Sequence, residues 1–134
     1  MMSLFLCKFD DESLKDIALG IRGLRLQKLH IWNWSSTNSI GIEGAEAIGS
    51  LLQDVSCSLA DLRLDSAGFN NESIQIVVNS LMSNTKLKHL SLNGNKIEMS
   101  GCESIINLLQ TPRVAISPVL ILEVTRLTMN RLQK

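Results

Sequence analysis

Cys7, His30, Asp61 and Asp65 are the residue types of a nucleophile, a general base and an orienting carboxylate. Arg63, between the two aspartates, and His89 add a cation and a second titratable ring. Catalysis would require these scattered positions to meet where water is excluded and donors face the developing charge. GIEGAE, Gly41 to Glu46, resembles a phosphate loop but lacks the lysine and the serine or threonine of a P-loop. Cys7, Cys57 and Cys102 are an odd number without close spacing, so neither a disulfide framework nor a zinc knuckle is expected. Cys7 with His30 would supply two ligands, which do not make a metal site. NWS (Asn33 to Ser35) and NES (Asn71 to Ser73) fit the glycosylation pattern and are read as chance matches.

The totals narrow the classes. The chain of 134 residues is 45% hydrophobic and 19% charged, the mix of one folded domain. Thirteen basic and thirteen acidic residues cancel. That balance lacks the electrostatic footprint of generic nucleic-acid or anionic-membrane binding, so neither partner is expected. The start, MMSLFLCKFDDE, has too short an apolar run for a signal-peptide core, and PVLILEV is too short to cross a bilayer. A cytoplasmic chain with free thiols is expected.

The elements that would position those side chains are set by a repeat. LQKLHIW (Leu26 to Trp32), LADLRLD (Leu59 to Asp65) and LKHLSLN (Leu87 to Asn93) all read L-x-x-L-x-L. VLILEVT (Val119 to Thr125) is a looser fourth copy, and SLFLCK (Ser3 to Lys8) a partial leading one. The central leucines Leu29, Leu62, Leu90 and Leu122 are 33, 28 and 32 residues apart. Alternation over so short a run is a strand with one buried face. Helical patterns follow each: Ser13 to Ile21, Ile40 to Leu52, Phe69 to Leu81 and Ile97 to Leu109. Ser39, Asn70 and Ser100 are candidate caps near the helix starts. A strand, a turn and a returning helix, repeated, require a parallel sheet and stack into a solenoid.

LKHLSLNGNKI followed by the Gly101 to Leu109 helix resembles the leucine-rich repeat, in its ribonuclease-inhibitor-like class. NTKLKHLSL is similar to repeats of NOD-like receptors and of Ran GTPase-activating proteins. The resemblance implies an α/β horseshoe segment of four to five repeats, with a parallel concave sheet and convex helices. One domain over 1–134 is expected, with repeats at about 1–23, 24–56, 57–84, 85–116 and a partial one at 117–134. The family asparagine, which bonds neighbouring turns, appears only as Asn95; Trp34 and Ala67 stand at its position elsewhere. About four extra residues around SSTN, and a second lengthening at TPRVAISP, make those copies irregular. Gly44 and Gly101 share a register at the helix start, where close helix packing is the expected reason for them.

Alternation sends the non-leucine positions to the open face of the sheet. These are Lys28, His30 and Trp32, then Asp61, Arg63 and Asp65, then His89, Ser91 and Asn93. Ser3, Phe5 and Cys7 would lead the columns, and Ile121, Glu123 and Thr125 would follow. Arg63 with its two aspartates reads as a solvated charge cluster. An open face does not exclude water, so the nine central residues are expected to bind a protein, with no enzyme, cofactor or metal. The runner-up is a GTPase-activating regulator of the Ran type. Trp32 is the expected anchor, because exposed tryptophan is a common hot spot; Trp34 is expected to fold inward. Cys102 is expected to be buried and Cys57 exposed in a loop. The ends carry no polar capping unit, so a fragment of a larger receptor, or assembly through those ends, is expected.

Overall fold

Runs of period 2 and runs of period 3.6 alternate along the chain, and the backbone follows them. A computed structural model describes residues 2–7, 10–32 and 40–111. In order these form β1 (Met2–Cys7), α1 (Asp11–Gly20), β2 (Leu26–Trp32), α2 (Ile42–Gln53), β3 (Asp61–Asp65), α3 (Asn71–Leu81), β4 (His89–Ser91) and α4 (Met99–Leu109). The strands make one parallel sheet in the order β1-β2-β3-β4. Each helix carries the chain back to the starting edge, which is what parallel neighbours need. This is the α/β arrangement that the repeat implied. The fourth strand pattern at Val119 to Thr125, the TPRVAISP and SSTN lengthenings, Trp34 and the Ser39 cap lie outside the described residues.

The leucines are in step across the sheet. Leu4 pairs with Leu29, Leu29 with Leu62, and Leu62 with Leu90. Leu29, Ile31, Leu62, Leu64, Leu90 and Leu92 are all buried. The helices meet them with Ile48 and Leu52, with Ile74, Val77 and Leu81, and with Ile105 and Leu108. Leu59 and Leu87 precede their strands yet are buried as well, so in these two copies the first leucine serves the core from a loop. Cys102 is buried as expected. Cys57, expected to be exposed, is also buried, beside Leu59 in the core, and burial raises its thiol pKa above the ordinary range.

Helix starts alternate between two solutions. Two of them, α1 and α3, are self-contained. In α3 the Asn70 side chain accepts from Ser73 N–H at 2.9 Å, and Ser73 Oγ accepts from Asn70 N–H at 2.9 Å. This is a capping box. In α1 Asp10 accepts from the Ser13 amide at 2.8 Å and from its hydroxyl at 2.7 Å. The other two borrow. α2 and α4 start at Gly41 and Glu98, neither with a side-chain cap of its own. Asp11 of α1 accepts from Gly41 N–H at 2.8 Å, and Asn71 of α3 accepts from Glu98 N–H at 2.8 Å. Gly44 and Gly101 leave room for this: a Cβ at Gly101 would sit 2.7 Å from Asn71 Oδ1 and 2.7 Å from Ile97 Cγ2. The expected close packing at these glycines is present, and the partner is the preceding helix. Ser100, expected as a cap, falls within the first turn of α4 because Glu98 takes the capping position.

The turns are laddered too. Asn95 Oδ1 accepts from Ala67 N–H and Phe69 N–H, each at 3.0 Å. Its Nδ2 donates to Leu64 O at 2.7 Å and to Leu92 O at 2.9 Å. One buried side chain thus fastens its own turn to the previous one, as the family pattern implied. Asn84 does the same at the opposite edge, donating to Leu52 O at 2.9 Å.

Candidate protein-binding face

With the leucines of β2, β3 and β4 turned to the helices, the alternate positions form rows across the opposite face. Lys28 pairs with Asp61 and Asp61 with His89; His30 pairs with Arg63 and Arg63 with Ser91; Trp32 pairs with Asp65. Asn93 follows β4 and joins the last row through its backbone, donating to Asp65 Oδ1 at 3.0 Å. The structure therefore brings all nine sequence-derived positions into a continuous three-by-three patch. Cys7 pairs with Trp32, and Phe5 with His30, so the cysteine and the imidazole belong to different rows.

Depth differs sharply within the patch. Asp61, expected among displayed side chains, is only 6% exposed. His30 Nε2 lies 3.5 Å from one of its oxygens, and Arg63 Nε donates to the other at 3.3 Å. A carboxylate held on both sides in the middle strand is shielded by the groups it organises, which is how a buried charge becomes tolerable. Arg63, by contrast, has a half-exposed side chain. Its Nε is fixed by Asp61, and the outer edge of the guanidinium fork is the part suited to bidentate contact with an incoming carboxylate or carbonyl. The expected solvated cluster is thus a layered one, with the aspartate beneath and the guanidinium above.

Asp65 behaves differently. Its Oδ1 accepts from Ser91 Oγ at 2.6 Å as well as from Asn93, and Asn93 Nδ2 donates to Ser91 Oγ at 3.2 Å. Asp65, Asn93 and Ser91 thus form a closed polar net that joins the third row to the second and ties β3 to β4 and the turn after it. Arg63, His89 and Asn93 are exposed, with Lys28, His30, Asp65 and Ser91 half-buried. Alternation in the sequence finds which side a residue faces, but not how deep it lies.

Among the described residues no three His, Cys, Asp or Glu side chains are grouped to hold a metal ion, and no helix is long and apolar enough to cross a membrane.

Comparison with known proteins places these repeats among relatives. A family model described as a leucine rich repeat matches residues 83–105, the segment of β4, Asn95 and the first part of α4. NACHT, LRR and PYD domains-containing protein 5 of Mus musculus is 29% identical over 84 residues, 63% of this chain and 7% of its own length. NLR family CARD domain-containing protein 4 of Mus musculus is 26% identical over 102 residues, 76% of this chain and 10% of that protein. Ribonuclease inhibitor of Sus scrofa is 28% identical over 112 residues, 83% of this chain and 24% of the inhibitor. The chain therefore spans a quarter or less of these relatives.

Proposed function

We propose that this chain, a leucine-rich-repeat protein of the ribonuclease-inhibitor-like class, binds a partner protein on the sheet face opposite its helices. On this reading it is one domain, a horseshoe segment of four to five repeats whose concave face carries Lys28, His30, Trp32, Asp61, Arg63, Asp65, His89, Ser91 and Asn93. It acts by binding and not by catalysis, in the cytoplasm. The observation that supports it best is the in-register patch of polar side chains on β2, β3 and β4, on the face that, among the described residues, the helices leave uncovered. Parallel stacking makes such a face wide and rigid, so side chains are presented with little ordering cost. Trp32 supplies the aromatic anchor, and Arg63, positioned by Asp61, a directed polar contact.

Affinity capture with wild type, Trp32→Ala and a Trp32→Ala/Arg63→Ser/His89→Ser variant tests the reading. Capture should weaken in the first variant and vanish in the second, with melting temperatures close to wild type. Leu62→Ala serves as the contrasting core change and should lose about 2–5 kcal/mol of stability. If both face variants retain the wild-type partners, the sheet face is not the binding surface.

A further inference from the structure

The zero net charge of the chain conceals a division between its two sheet edges. All four strands are parallel, so every helix-to-strand loop lies at one edge and every helix N-terminus at the other. The first edge, loops 21–25, 54–60 and 82–88, carries Arg22, Arg25, Lys86 and Lys88 against Asp54 alone. Neighbouring loops are in contact there: Lys86 Nζ donates to Val55 O at 3.1 Å, and Arg22 Nε is 3.9 Å from Asp54. The second edge, among the described residues, carries Asp10, Asp11, Glu12, Glu43, Glu72 and Glu98 against Lys96 alone. Acids at helix N-termini are ordinary, since each terminus bears about half a positive charge. Four helices offset about two charges at each edge on that scale, and neither edge changes sign.

Helix dipoles do not account for the apolar side chains set among these charges. Val55 is 92% exposed on the basic edge, with Leu24 and Met82 also exposed. Ile42 and Met99 are exposed on the acidic edge, each at the first residue of a helix. Acids recur at every helix start, whereas the bases fall on loops 21–25 and 82–88; exposed apolar residues sit on each of the three basic-edge loops and at the starts of α2 and α4.

We propose that the basic edge of one copy docks on the acidic edge of a second copy of this chain. Opposite charge and exposed apolar residues on both sides make the two edges complementary. A two-fold dimer would put like edges together and is disfavoured. The contact is head-to-tail, so it leaves one edge of each sign free and builds an open series rather than a closed pair. The interface is distinct from the sheet face and does not depend on what that face binds.

Sedimentation velocity on the full chain tests this. At low salt the average mass should rise with concentration past the dimer, and association should weaken at least about tenfold when salt is raised tenfold. Arg25→Glu/Lys88→Glu and Glu72→Lys/Glu98→Lys should each be monomeric and melt cooperatively. Mixed in equal amounts they should associate again, because each variant keeps the edge that the other has lost. Val55→Asp should weaken association of the otherwise wild-type chain. A wild type that stays monomeric at all concentrations overturns the proposal, as does a closed dimer indifferent to both charge reversals. Monomer that instead floats with phosphatidylserine vesicles through Arg25 and Lys88 would also overturn it and assign the basic edge to anionic lipid.

Discussion

Asn95 makes four hydrogen bonds from one buried side chain, two accepted and two donated, and no other residue type of its size has that inventory. Asn95→Ala would orphan Ala67 and Phe69 amides and Leu64 and Leu92 carbonyls. At about 1–3 kcal/mol for each buried group left unmade, and with water reaching some of them, a net loss of about 3 kcal/mol is expected. Chemical denaturation of the variant measures it; a loss below about 0.5 kcal/mol would mean the ladder is dispensable. Asn95 was legible because L-x-x-L-x-L-x-x-N is a spacing. The burial of Asp61 was not, because its depth depends on His30 and Arg63, neither of which is marked by the repeat. Cys57 escaped for a related reason: the loop it occupies turns inward to bring Leu59 to the core.

At the scale of elements, the period-3.6 runs located each of the four helices among the described residues and overshot three of the starts. Ile40, Phe69 and Ile97 fit the helical pattern, yet each stands one residue before the capping position and is buried there. An apolar residue at that place packs on the first turns and fixes how the chain enters the helix. Asn70 was recognisable as a cap, and Asp10 offers the same x-x-Ser signal. Borrowed caps leave no such local trace, since Asp11 and Gly41 are 30 positions apart and Asn71 and Glu98 are 27 apart. Gly101→Ala tests the borrowing. Alanine gains about 1 kcal/mol of helix propensity over glycine, less at a helix end. Pressing on Asn71 and Ile97 costs about 1–3 kcal/mol, so a net loss of about 1–2 kcal/mol is expected. Pairing it with Asn71→Ala should recover part of that loss in a double-mutant cycle, because the smaller residue vacates the space.

For the whole molecule, acid is the informative perturbation. Hydrogen bonds from Ser13 hold the Asp10 carboxyl below its ordinary pKa, and those from Ser56, helped by Arg22 and Lys86, do the same for Asp54. A depressed folded-state pKa contributes stability above the unfolded value and loses it as pH falls through the folded one. Melting temperature should therefore decline from about pH 5 toward pH 2, and less steeply in Asp10→Asn/Asp54→Asn. The division of charge between the sheet edges was illegible in the composition, because a sum over the chain discards direction; it emerges only once all helices are known to point one way. The alternation of helix starts carries a different consequence. α1 and α3 lend a side chain forward, while α2 and α4 keep glycine to receive it. The array therefore has parity. Inserting or deleting one strand–helix unit would set lender against lender or receiver against receiver, whereas changes by two restore every match. Growth or trimming of such a chain, by recombination or by design, is expected to cost less stability in even steps than in odd ones.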